Sequence, residues 1–135
     1  MSGYLLDTNT VSLFVRNRAS PRLMGRLSRL PTGAIQVSVV TQGEILFGLI
    51  KAGSPPRLQY AVDIFLQTAS ILPWANEDAA AYAELRFQSG AKGITVAPLD
   101  LMIAAQALAA NATLVTNDSA MKRLTPWMPV EDWTV

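Results

Sequence analysis

Four acids in apolar company carry most of the chemistry this chain can offer. Asp7 follows Tyr4, Leu5 and Leu6 in "GYLLDTNTVSLF". Glu44 sits in "TQGEILFGLIK", Asp100 is the single charge of "PLDLMIAAQALAA", and Asp118 closes "TLVTNDS". Each has an ordinary reading in isolation. Asp7 and Asp118 suit a helix cap or a turn, and Glu44 and Asp100 suit the first turn of a helix, where the helix dipole favours an acid. Taken together they suggest convergence, two from strand ends and two from helix starts. Two unit charges 4 Å apart repel by roughly 4 kcal/mol at an effective dielectric of 20, so four such groups call for a cation. Hard oxygen donors with no soft ligand point to Mg²⁺ or Mn²⁺. An ion of that kind activates water and polarises a phosphate.

Composition narrows the alternatives. The 135 residues include no histidine and no cysteine, with net charge +1 and half the residues hydrophobic. A Ser-His-Asp device, a cysteine nucleophile and a disulfide are excluded, and a typical zinc site is disfavoured. The length suits one domain, residues 1–135. No apolar run reaches the ~18 residues of a membrane span. The start lacks a basic segment followed by a long apolar stretch, so a cytoplasmic location is expected. The charge is unevenly spread: Arg16, Arg18, Arg22, Arg26 and Arg29 cluster, and no acid lies between Asp7 and Glu44.

The elements that must position the acids follow from pattern. "GYLLD" reads as a buried strand, with Thr8 to Thr10 offering caps for a helix through Val15. "SPRLMGRLSRL" reads as a helix and "AIQVSVV" as a strand, followed by a helix over "TQGEILFGLIKAG" that ends near Gly53. Helices are expected over 54–69, over 76–93 with Asn76 as cap, and over 97–111 with Asn111 as terminator. "SILPW", "ATLVTND" and "VEDWTV" read as strands, the last a weak one, and "MKRL" as a short helix. Strands separated by helices imply an α/β fold with a parallel sheet covered on both faces. Ligands of such sheets bind beyond the carboxyl ends of the strands, where Asp7 and Asp118 lie. Asp100, in a helix apolar nearly all round, needs a partner from elsewhere, since no Arg or Lys occurs from Gly93 to Met121. Gly48, four residues after Glu44, costs its helix about 1 kcal/mol, and a clear space beside the carboxylate is one reason to keep it.

The series "LLDTNTVS", "VVTQGEILFGL", "PLDLMIAAQALA" and "TLVTND" resembles the PIN-domain ribonucleases. Within them it is most similar to the VapC-type toxins of bacterial toxin–antitoxin pairs, including the FitB-like branch. The likeness runs from Tyr4 to about Leu124. It implies a three-layer α/β/α sandwich with a central parallel sheet and a Mg²⁺- or Mn²⁺-dependent acidic site that cleaves RNA. By position, Asp7, Glu44, Asp100 and Asp118 match the metal-holding catalytic acids. Thr116 matches the hydroxyl beside the fourth acid, and Thr8 and Asn9 match residues that order the first loop. Many relatives carry a further acid after the last motif; here "TNDSAMKRL" has none, which makes Asp118 the least secure of the four.

On this reading water is the nucleophile, and Arg16, Arg18, Arg22 and Arg26 are the candidates for holding the RNA backbone. A haloacid-dehalogenase-like phosphatase fits less well, because Asn9 stands where its second aspartate would be. A PIN nuclease acting on DNA or in RNA processing, and a non-catalytic PIN-like binding module, remain as alternatives. Leu13, Phe14, Leu46, Phe47, Leu49 and Ile50 are too many apolar residues for one core face. They suggest a homodimer or a groove between the early helices for an antitoxin segment. The resemblance adds an antitoxin cation inserted into the acidic site.

Overall fold

The structure, a computed structural model, describes residues 3–31 and 33–135. Five strands form one parallel sheet in the order β3-β2-β1-β4-β5. In chain order these are β1 (Tyr4–Leu6), β2 (Ile35–Ser38), β3 (Ser70–Leu72), β4 (Thr113–Val115) and β5 (Val130–Glu131). Helices α1 (Thr8–Val15) and α2 (Pro21–Ser28) join β1 to β2, and α3 (Val39–Lys51) and α4 (Pro56–Thr68) join β2 to β3. Helices α5 (Asn76–Ala91) and α6 (Pro98–Ala109) lead into β4, and α7 (Ser119–Lys122) precedes β5.

The strand residues show why two layers of helix are needed. Side chains alternate across a strand. Leu5 and Leu114 enter a core with Leu85, Leu101, Ile103 and Met121, from α5, α6 and α7. Their neighbours Leu6 and Val115 enter a second core with Val11, Leu23, Ile45, Leu49, Val62 and Phe65, from α1 to α4. All four of these strand residues are fully buried, each worth about 1.5–3 kcal/mol relative to exposure. The three-layer α/β/α sandwich with a central parallel sheet is therefore the observed fold. No helix among the described residues is long and apolar enough to cross a membrane.

Caps account for most differences from the sequence pattern. The run Ala34–Val40 reads as strand, but Val39 and Val40 belong to α3. Ser38 stops the strand because its hydroxyl accepts the Val40 N–H at 2.9 Å. The first residue before α5 is Ala75, not Asn76; Asp78 reaches back to accept the Ala75 N–H at 2.7 Å. Helix α7 begins at Ser119, two residues before "MKRL", because Asp118 caps it. The last strand is only Val130–Glu131. Asn111 does end the long apolar helix, with a left-handed φ of 54°.

The topology fixes where a ligand binds. From central β1 the chain moves first to β2 on one side and later to β4 on the other. The carboxyl end of β1, where that order reverses, is the place at which sheets of this kind bind ligands in a crevice.

Candidate active site

Asp7 leaves β1 into this crevice and is almost wholly buried. Of the caps the sequence offers, Asp7 rather than Thr8 to Thr10 is the N-cap of α1: its Oδ1 accepts the Thr10 N–H at 2.9 Å. Its Oδ2 accepts the Thr116 hydroxyl at 2.6 Å. Thr116 follows β4, and its oxygen in turn accepts the Asp118 N–H at 3.0 Å. One buried hydroxyl thus fixes both acidic loops. Asp118 has a capping role as well, accepting the Met121 N–H through Oδ2 at 2.9 Å.

Glu44 lies in the second turn of α3, since that helix starts at Val39. The Thr8 hydroxyl donates to its Oε1 at 2.5 Å. The hydroxyls of Thr8 and buried Thr41 are hydrogen-bonded at 3.1 Å. Asn9 bonds Asn117 at 2.8 Å, joining the loops after β1 and β4. Asp100 stands in the first turn of α6 and is half-buried. Its carboxylate has no ion pair among the described residues.

Two of the four acids, Asp100 and Asp7, have shifted carboxyls. Burial pushes the Asp100 carboxyl above its ordinary value, and the charges of Asp118, Asp7 and Glu44 push it further. Burial also raises Asp7; hydrogen bonds from Thr10 and Thr116 pull it back, and the Asp118 charge adds to the rise. Both effects penalise the charged form.

The donor set fits a hard divalent cation by its chemistry: carboxylate oxygens only, mutually repelling, with no ion pair to any of the four among the described residues. No three acidic side chains there stand close enough to grip one ion directly. Magnesium commonly keeps several waters and binds through one or two carboxylates, so direct contact from all four is unnecessary.

The arginine stretch separates into different roles. Arg26 pairs with Glu131 at 2.8 Å and lies over the Trp133 ring at 4.8 Å, fastening α2 to the last strand. Arg16, Arg18 and Arg22 are exposed. Arg16 lines a small cleft together with Thr8, Ser12, Glu44 and Gly48. The clear space expected above Gly48 is occupied at its margin: an Arg16 terminal nitrogen lies 3.4 Å from where a β-carbon would sit. Thr41 and Arg57, which lines a cleft with Arg16 and Arg18, were not singled out by the sequence pattern.

Residues 4–125 match the family model described as "PIN domain". The chain is 31% identical over 131 residues to ribonuclease VapC2 of Rickettsia felis, covering 96% of this chain and 97% of the relative. That organism's VapBC2, solved bound to a DNA fragment from their promoter, superposes with a TM-score of 0.84 and 31% identity, over 96% of this chain and 98% of that one. The tRNA(fMet)-specific endonuclease VapC of Salmonella typhimurium is 29% identical over 98% of this chain and 99% of its own length. FitAcB of Neisseria gonorrhoeae matches with a TM-score of 0.82 at 25% identity, over 96% of this chain and 97% of that one.

Proposed function

This chain belongs to the PIN-domain family, in its VapC ribonuclease branch, and from that premise we propose that it is the toxin of a toxin–antitoxin pair, an endoribonuclease. Asp7, Glu44, Asp100 and Asp118 are its catalytic carboxylates, and Mg²⁺ or Mn²⁺ is its cofactor. The observation that carries the reading is the hydrogen-bonded frame around these acids, in which Thr116 joins Asp7 to the Asp118 loop and Thr8 holds Glu44, with Asp100 close enough to the others for their charges to raise its carboxyl. A protein keeps such a cluster at a cost to stability, and the cost is offset when a cation binds.

When bound, a divalent ion would lower the pKa of a water, polarise the scissile phosphate and balance the charge that develops there. The chain's own residues set up the rest. Thr116 holds Asp7 and the Asp118 loop in fixed relation, so the acids need little rearrangement. Thr8 orients Glu44 by donating to one oxygen, leaving the other free to receive a proton or a water. Asp100 stands in the first turn of α6, half-buried and without an ion pair among the described residues, where it would hold the ion directly or through water. Hydrolysis by water needs no covalent intermediate and no 2′-hydroxyl attack.

The name of the Salmonella relative makes initiator tRNA the first substrate to test. The partner proposed is a cognate antitoxin. An apolar cleft of about 370 Å³ between α1, α2 and α4, lined by Phe14, Met24, Leu27, Ile64 and Phe65, suits an apolar segment of it. Of the six apolar residues that crowd α1 and α3, Leu49 is buried, Leu13 and Phe14 are half-buried, and Leu46, Phe47 and Ile50 are exposed. Phe47 and Ile50 on α3 support a homodimer contact. The test is cleavage of initiator tRNA by the purified chain with Mg²⁺ or Mn²⁺, its loss in EDTA, and growth arrest on expression that the neighbouring gene relieves. Full cleavage in EDTA would overturn the metal mechanism, and harmless expression would overturn the toxin role.

A further inference from the structure

We infer that Arg16, Arg18 and Arg57 form a track that carries the RNA backbone away from the acidic crevice, an inference that rests on the ribonuclease reading. An anionic polymer meets four carboxylates at the place where it must be cut. Charge of the opposite sign has to stand close by to hold it there. The sequence brings Arg16 and Arg18 to the end of α1. Arg57, in the first turn of α4, is far from them in the chain and reaches them only through the packing of α4 against α1 and α3.

Two clefts meet at Arg16. The inner one, about 80 Å³, is small and contains Thr8, Ser12, Glu44 and Gly48 beside Arg16. The outer one, about 640 Å³, is flanked by Arg16, Arg18 and Arg57 above a largely apolar floor, adjoins the apolar cleft at Phe14, Met24 and Ile64, and has no carboxylate in its lining. Among the described residues none of these three arginines makes an ion pair, whereas Arg26 and Lys122 do. Their charges are therefore not spent on the fold.

Gly48 contributes by what it lacks. With no side chain there, the Arg16 guanidinium rests against α3 one turn beyond Glu44. This places a phosphate donor next to the catalytic carboxylates. In the outer cleft Tyr60, 70% exposed, stands beside the arginines. Arginines beside an exposed aromatic ring are a usual chemistry for holding single-stranded nucleic acid.

The test is binding of a labelled single-stranded RNA oligonucleotide to the full chain in EDTA, by fluorescence anisotropy over a range of salt. Arg16→Gln and Arg57→Gln should each weaken binding by about tenfold. Each should also reduce the slope of log affinity against log salt by about 0.7. Arg16→Lys should keep the slope, and Lys92→Gln, outside both clefts, should change neither quantity. With metal restored, Arg57→Gln should raise KM for RNA cleavage and leave kcat near the parent value. An unchanged affinity and slope in the Arg16→Gln, Arg57→Gln double variant, with its thermal melt intact, overturns the track. So does loss of antitoxin binding in that variant at unchanged RNA affinity, which would make the cleft a protein-docking surface. A parent chain that cuts RNA yet shows no slope change in the variants overturns the track alone. One that binds RNA through these arginines but never cuts it supports the track and overturns the ribonuclease reading.

Discussion

Thr116 and Asp7, 109 residues apart in sequence, are joined by a buried hydroxyl–carboxylate hydrogen bond of 2.6 Å. The same hydroxyl oxygen receives the Asp118 backbone N–H, so it is the buried fastening between the loops after β1 and β4, with Asn9 and Asn117 bonded at the surface. Removing that hydroxyl as Thr116→Val leaves a backbone donor and a carboxylate oxygen without their partner. The expected cost is about 1–3 kcal/mol of stability, read as a lower urea midpoint with an unchanged m value. Metal affinity should fall as well, measured by calorimetry. Unchanged stability would mean that water replaces the hydroxyl and that the fastening is unimportant.

Asp7→Asn separates chemistry from folding. An asparagine oxygen can still accept the Thr10 N–H and cap α1, although its amide nitrogen then faces the Thr116 hydroxyl in place of an acceptor, so the fold should persist with a smaller loss of stability than in Asp7→Ala. Loss of the charge should lower RNA cleavage by at least about 100-fold. Asp7→Ala should lose activity and also lose about 1 kcal/mol from the missing cap. Thermal melts beside cleavage rates separate the two variants.

Asp100→Asn should stabilise the metal-free protein. The Asp100 carboxyl is raised above its ordinary 3.8 by burial and by its acidic neighbours. A raised acid contributes stability below its unfolded pKa and loses it as pH rises through the folded value. At pH 7 the penalty is fully present, and the variant should gain on the order of 0.5 kcal/mol, small because water screens a half-buried site. The gain should vanish as pH falls below the ordinary aspartate value. A variant less stable than the parent at pH 7 would contradict the repulsion argument.

Metal reverses that order. Millimolar Mg²⁺ or Mn²⁺ should raise the melting temperature of the parent, since a ligand that binds only the folded state adds RT ln(1 + [L]/Kd). The rise should shrink in Asp7→Asn and Asp100→Asn and disappear with EDTA. Equal rises in all three proteins would place the ion elsewhere.

Gly48→Ala should divide stability from activity. Alanine favours a helix interior by about 1 kcal/mol over glycine, and its methyl would meet only the tip of Arg16, at 3.4 Å. The melt should rise, while KM for RNA rises because Arg16 is nudged off α3. A higher melt with unaltered KM would mean that Arg16 does not need that seat.

How much was legible depended on whether the signal was local. Asp7 was visible because an acid after "YLL" ends a buried strand, and Asp100 because it is one charge in an apolar helix. The pattern offered a cap as one role for Asp7, but nothing local revealed that the same carboxylate also meets Thr116. Val39 and Val40 read as strand by β-branched propensity, and a single serine hydroxyl overrode them. Thr41 gave no signal, since its place in the site depends on Thr8, which is remote in sequence. Arg57 was hidden for the same reason. Arg26 looked identical to its neighbours in the arginine stretch, yet Glu131 and Trp133 engage it.

The ring of Tyr4, on the first strand, packs against that of Trp133 with centroids 5.2 Å apart, and the four acids are likewise spread from Asp7 to Asp118. A ribosome delivers these parts in order. While the first three strands are already outside, β4 and the loop bearing Thr116 and Asp118 have yet to be made, and Asp7 has no hydroxyl to meet. A nascent or prematurely terminated chain therefore lacks a finished site, and the cell that synthesises this protein has an interval before any newly made copy can act.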